Sequence, residues 1–169
     1  HALRAAFRSR RPVRLELPSD LTQVDIPVPE DTLTLDGPAT DPSQVEDAAT
    51  ALAAMLTGAS RPLLVFDLPA VRWGALPAIE EFCAGLDIPY FCTLPAVHQA
   101  HTEHPQFMGI LPGKDADRQR IFSEADLVVA CGLIESDVTT GFFSLGLDAK
   151  PVARLHTGYT PLGGPSWTD

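Results

Sequence analysis

Continuous apolar runs of strand length, set apart by helical patterns, constrain this chain more than any other feature. Pro62 to Phe66 reads PLLVF, Ile88 to Cys92 IPYFC, Leu127 to Cys131 LVVAC, and Val152 to His156 VARLH. None keeps the strict apolar–polar alternation of a strand with one wet face. Such strands are buried on both sides. With helices between them, they predict an α/β fold: a three-layer, Rossmann-like sandwich around a mainly parallel sheet.

The helices are read from their caps and faces. Residues 41–59 carry Asp41 as a cap, Pro42 at the first helical position and Gln44 in a capping-box-like place. Val45, Ala48, Ala49, Leu52, Ala53 and Leu56 then fall on one apolar stripe, and Gly58 supplies the stop. A second helix opens at Pro77, with Ile79, Phe82, Cys83 and Leu86 on one face. A third spans Asp115 to Ala125 and bears Ile121 and Phe122.

Upstream, His1 to Arg11 has Leu3, Ala6 and Phe7 at helical spacing but no cap and no initiator Met, which leaves open whether His1 is native. Pro12 to Pro18 alternates, with Val13, Leu15 and Leu17 on one side, and reads as a short strand. A helix running straight into a strand at the very start looks like the tail of something larger. Ser19 to Thr40 has no sustained period and reads as a linker.

Charge narrows the partners. Acidic side chains number 22 against 12 basic ones, a formal charge of −10, so the cationic footprint of a duplex-binding protein is missing. No apolar stretch is long enough to span a bilayer. Cys83, Cys92 and Cys131 lack CxxC spacing, which argues against a zinc site or a disulfide framework and fits a reducing, cytoplasmic compartment.

Chemical motifs are sparse. The turn after Phe66 reads DLPAVRWGALP and contains only Gly74, so the glycine fingerprint that lets a backbone approach a pyrophosphate is absent there. His98, His101 and His104 stand beside Glu103, yet three-residue spacing fans them around a helix axis and Pro105 ends the segment, so they read as solvent-facing side chains and not as a metal site. No nucleophile elbow accompanies the Ser, His and Asp residues, and no catalytic residue is assigned. The stretch Gly132 to Ser144 follows a strand directly, where open α/β sheets bind ligands. Its candidate crevice residues are Gly132, Asp137, Thr139, Thr140 and Gly141. A well-capped structural loop is the alternative.

Taken in order, several stretches resemble one family. They are PVRLELPSDL (12–21), RPLLVFD (61–67), IPYFCTLPA (88–96), EHPQFMGILPG (103–113), EADLVVACG (124–132) and DVTTGFFS (137–144). The chain is similar to the central domain of thiamine-diphosphate-dependent 2-oxo acid enzymes, on the pyruvate and indolepyruvate decarboxylase branch. The matching positions are His104, Pro105, Phe107, Gly109 and Gly113; Glu124, Ala125, Asp126 and Leu127; and Asp137, Thr140, Gly141, Phe143 and Ser144. The resemblance implies a sandwich of the DHS-like NAD/FAD-binding type. It divides the chain into 1–20, the last helix and strand of a preceding cofactor-pyrimidine domain; 21–40, a linker; and 41–169, the central domain.

In such enzymes an activating Glu of the first domain and a Gly-Asp-Gly motif of the third hold thiamine diphosphate and magnesium. Neither occurs here. The resemblance therefore implies a structural, interdomain role in a decarboxylase whose cofactors bind elsewhere, with the flanking domains, and further subunits in a homo-oligomer, as partners. A nucleotide- or effector-binding regulatory domain is the alternative, because some central domains of the family bind FAD or ADP. A free-standing enzyme is a third reading. Val13, Leu15 and Leu17 should be core in the complete enzyme, and without that sheet they should lack order or pair with another edge.

Overall fold

The computed structural model describes residues 2–35, 37 and 40–156. The chain forms two compact units, His1–Asp41 and Pro42–Asp169.

In the first unit, α1 (Ala2–Ser9) buries no residue, and a 3-10 turn spans Ser19–Gln23. The Arg4 side chain donates to the Thr34 carbonyl at 3.3 Å. Residues 12–18 form no strand, contrary to the alternation of their side chains. A strand exists through a ladder of backbone hydrogen bonds, and this segment has no ladder partner among the described residues. Leu15 is 76% exposed and Leu17 63%.

The second unit follows the predicted plan. After α2 (Pro42–Gly58) come β1 (Pro62–Phe66), α3 (Leu68–Arg72), α4 (Leu76–Leu86), β2 (Tyr90–Thr93), β3 (Phe107–Leu111), α5 (Ala116–Glu124), β4 (Leu127–Cys131), α6 (Asp137–Thr140) and β5 (Val152–Leu155). The five strands run parallel in the order β3-β2-β1-β4-β5. Neighbours along the chain depart in opposite directions from β1, so the switch point lies between β1 and β4, where Leu64 pairs with Val129 and Phe66 with Cys131.

Alternate residues of the buried strands feed two cores, as a doubly covered sheet requires. Leu64, Phe66, Tyr90, Cys92, Val129 and Cys131 face Leu76, Ile79 and Cys83 of α4, with Leu52 and Leu56 of α2 at the margin. Leu63, Val65, Phe91, Val128 and Ala130 face Phe122 of α5 together with Leu133 and Leu147. Each fully buried side chain of this size stabilises the fold by roughly 1.5–3 kcal/mol.

Three expectations need correction. β3 is a fifth strand where the sequence suggested none: Gly109 interrupts its apolar run, and it lies at the sheet edge, where one side need not be apolar. The α2 stripe is rotated. Ala48, Ala51, Leu52, Met55 and Leu56 are half-buried, whereas Val45, Ala49 and Ala53 are exposed. Leu86, expected on the inner face of α4, is also exposed, because Asp87 turns the chain left-handed there and ends the helix.

Candidate functional site

The carboxyl ends of β1, β2 and β4 meet on one buried carboxylate, Asp67, which is 1% exposed. Its backbone is extended, and its Oδ1 accepts the Leu68 N–H at 2.7 Å, so it caps α3 with Pro69 in the first turn. The Thr93 hydroxyl at the end of β2 donates to the same oxygen. Oδ2 accepts the Ile134 N–H, beyond β4, at 3.1 Å. One side chain thus fastens three strand ends and caps the first turn of α3.

Gly132 follows β4 with φ +63. A Cβ built on it would lie 2.6 Å from the Ala70 nitrogen, so the backbone beyond β4 packs directly against α3. At this point the chain itself narrows the crevice between β1 and β4, and Pro69, Ala70 and Gly132 also border the cavity described below.

The remaining candidates are brought together in one tight loop. Ser136 and Thr139 form a capping box: the Ser136 N–H donates to Thr139 Oγ1 at 3.0 Å, and the Thr139 N–H to Ser136 Oγ at 3.3 Å. The Thr139 hydroxyl donates to the Ile134 carbonyl. The Thr140 hydroxyl donates to the Ser136 carbonyl at 2.5 Å and accepts the Phe143 N–H at 3.0 Å. Asp137 Oδ1 accepts the Val138 N–H at 2.8 Å. Gly141, at φ +59, lets the chain pass Pro112, whose Cγ would be 2.7 Å from an added Cβ. These interactions spend the Thr139 and Thr140 protons inside the loop.

The histidines separate. His98 lies on a 3-10 turn (Leu94–Gln99), His101 Nδ1 is 2.9 Å from the Glu80 carboxylate, and the His104 ring stacks at a tilt 5.3 Å from Tyr90. The Tyr90 hydroxyl also donates to Glu80, and burial, followed by that carboxylate's charge, pushes the phenol upward. Burial likewise pushes the thiols of Cys83 and Cys131 up to about 12 and that of Cys92 to about 11.

On the face covered by α2 and α4, a cavity of about 350 Å³ opens beside the switch point, with Trp73, Ile79, Phe82, Val129 and Leu155 in its wall.

Asp67 and Thr93 went unnoticed in the sequence, although Asp-Leu-Pro at a strand end is a cap signal.

Residues 49–156 match the family model for the thiamine pyrophosphate enzyme, central domain. The chain belongs to that family. Curated relatives of this central domain include a pyruvate decarboxylase of Candida albicans, 27% identical over 166 residues, covering 95% of this chain and 29% of that protein. A pyruvate decarboxylase of Hanseniaspora uvarum is 25% identical over 169 residues, covering 98% of this chain and 30% of that protein. The chain therefore spans about three-tenths of their length. A solved structure of a thiamin diphosphate-dependent enzyme from Mycobacterium smegmatis is 24% identical, covers 71% of this chain and 24% of its own, and superposes with a TM-score of 0.48.

The central domain's own residues do not fit a magnesium diphosphate. Among the described residues no three His, Cys, Asp or Glu side chains gather as a metal would need. Asp67, the one buried acid at a helix start among the described residues, is occupied by its own hydrogen bonds. No helix among the described residues is long and apolar enough to cross a membrane.

Proposed function

We propose that residues 41–169 are the structural middle domain of a thiamine-diphosphate-dependent 2-oxo acid decarboxylase, and that they carry none of its chemistry. The observation that supports this most is the closure of the sheet's carboxyl end. Asp67 takes the place at α3 that a phosphate would take in a nucleotide-binding relative of the fold, and Gly132 brings the β4 loop against Ala70. A domain that ties its strand ends together in this way, through a carboxylate and a backbone contact, serves by packing.

In this reading residues 1–20 are the end of a preceding cofactor-pyrimidine domain, and 21–40 are the linker. The exposed Val13, Leu15 and Leu17 favour it, because an extended segment with apolar side chains every second residue needs a sheet to join. The flanking domains bind thiamine diphosphate through magnesium, the cofactor supplies the electron sink for decarboxylation, and the enzyme acts in the cytoplasm as a homo-oligomer.

The test is a decarboxylation assay with thiamine diphosphate and magnesium on the complete parent polypeptide and on this chain alone. Turnover by the first and none by the second is expected. Carbon dioxide release by this chain alone overturns the reading.

A further inference from the structure

The cavity between α2, α4 and the sheet borders the narrowed crevice through Pro69, Ala70 and Gly132, and the packing role above gives it no task. We propose that it is a binding site for one small, uncharged, apolar molecule, an aromatic ring or a branched hydrocarbon. Its volume, about 350 Å³, lies at the small end of ligand-pocket sizes. Leu52 comes from α2, Ile79 and Phe82 from α4, Val129 from β4 and Leu155 from β5, so a guest touches four elements at once. Trp73 adds an indole wall against which a flat ring packs well.

Charge decides the class of ligand. Among the described residues no Lys or Arg lines the cavity and His156 is the one basic side chain in its wall, so a carboxylate or phosphate finds no permanent cation there to offset its desolvation. The nearby acid, Asp67, is held by Leu68, Thr93 and Ile134 and offers no cation-facing partner. The Cys131 thiol in the wall stays protonated because burial pushes its pKa up to about 12. The floor is the buried sheet itself, so the site is formed before any guest arrives and little ordering opposes binding. An apolar guest displaces water from a carbon wall, which is the favourable exchange.

The probes are toluene and benzoate, equal rings that differ in charge, titrated into the full chain. Trp167→Phe leaves Trp73 as the one tryptophan, since the sequence has two. Toluene is expected to change Trp73 fluorescence saturably, and benzoate to bind at least about tenfold more weakly. Ala78→Phe, at an exposed α4 position on the cavity rim, fills the space and should weaken toluene about tenfold or more. Methyl NOEs from toluene to Ile79 and Leu155 locate the guest independently, so the proposal stays testable if Ala78→Phe does not fold. Absence of saturable toluene binding, as when another stretch of polypeptide covers the cavity, overturns the proposal. So do equal affinities for the two probes, or NOEs to other residues.

Discussion

The backbone of Gly132 lies so close to Ala70 that an added Cβ would sit 2.6 Å from the Ala70 nitrogen. The contact joins the end of β4 to the first turn of α3, and only glycine adopts φ +63 there at no cost. Gly132→Ala combines a left-handed backbone penalty with overpacking and is expected to lose about 2–4 kcal/mol. Urea unfolding followed by circular dichroism reads this loss directly. A change below about 0.5 kcal/mol would mean that the contact relaxes freely.

Asp67 and Thr93 should act as a unit. Asp67→Ala removes the cap of α3 and leaves the Leu68 and Ile134 N–H groups without their acceptor, a loss of about 2–4 kcal/mol. Thr93→Val removes one donor to the same carboxylate. The double variant is expected to lose less than the sum of the singles, with a coupling of about 1 kcal/mol or more. Additive losses in a double-mutant cycle would show the two residues to be independent.

The fold was legible where residues had one job. Buried strands of a parallel sheet must be apolar on both sides, and PLLVF and LVVAC correspond residue for residue to β1 and β4. β3 was hidden because an edge strand is released from that demand and because Gly109 makes room for the Arg118 guanidinium, 2.7 Å from an added Cβ. Val13 to Leu17 alternated faithfully yet made no strand, since alternation specifies a face and not a partner. The loop from Gly132 to Gly141 was visible as a place, but the competition for its hydroxyls was not: which acceptor Thr139 and Thr140 reach depends on the fold of the loop itself.

The three thiols should be silent in the native state. All are free and buried, and burial pushes Cys83 and Cys131 up to about 12 and Cys92 up to about 11. At pH 8 the thiolate population is therefore negligible. Labelling with a chromogenic disulfide reagent is expected to proceed only as fast as the protein unfolds, and to reach all three thiols in denaturant. A fast-reacting native thiol would contradict the burial of that residue.

Asp126 links stability to acid. Its carboxylate accepts the Arg61 N–H at 2.9 Å and the Ser60 N–H at 2.8 Å, and these two bonds, Arg61 first, hold its pKa below the ordinary 3.8. The unfolded state then takes up the proton more readily than the folded one, so this contribution is complete above pH 3.8 and is lost as pH falls through the lower folded value. Asp126→Asn should flatten the acid limb of a stability–pH curve below about pH 4 and leave the slope near neutrality unchanged. An unaltered acid limb would show that the two N–H bonds do not favour the charged form.

Closure of the sheet's carboxyl end is tested most directly by thermal titration of the chain with ADP and with FAD. A ligand that binds the folded state raises the melting temperature by mass action. With Asp67 seated at α3 and Gly132 against Ala70, neither nucleotide should move the transition up to millimolar concentration. A saturable rise with either one, abolished when Gly132 or Asp67 is replaced, would contradict the narrowed crevice and the packing role built on it.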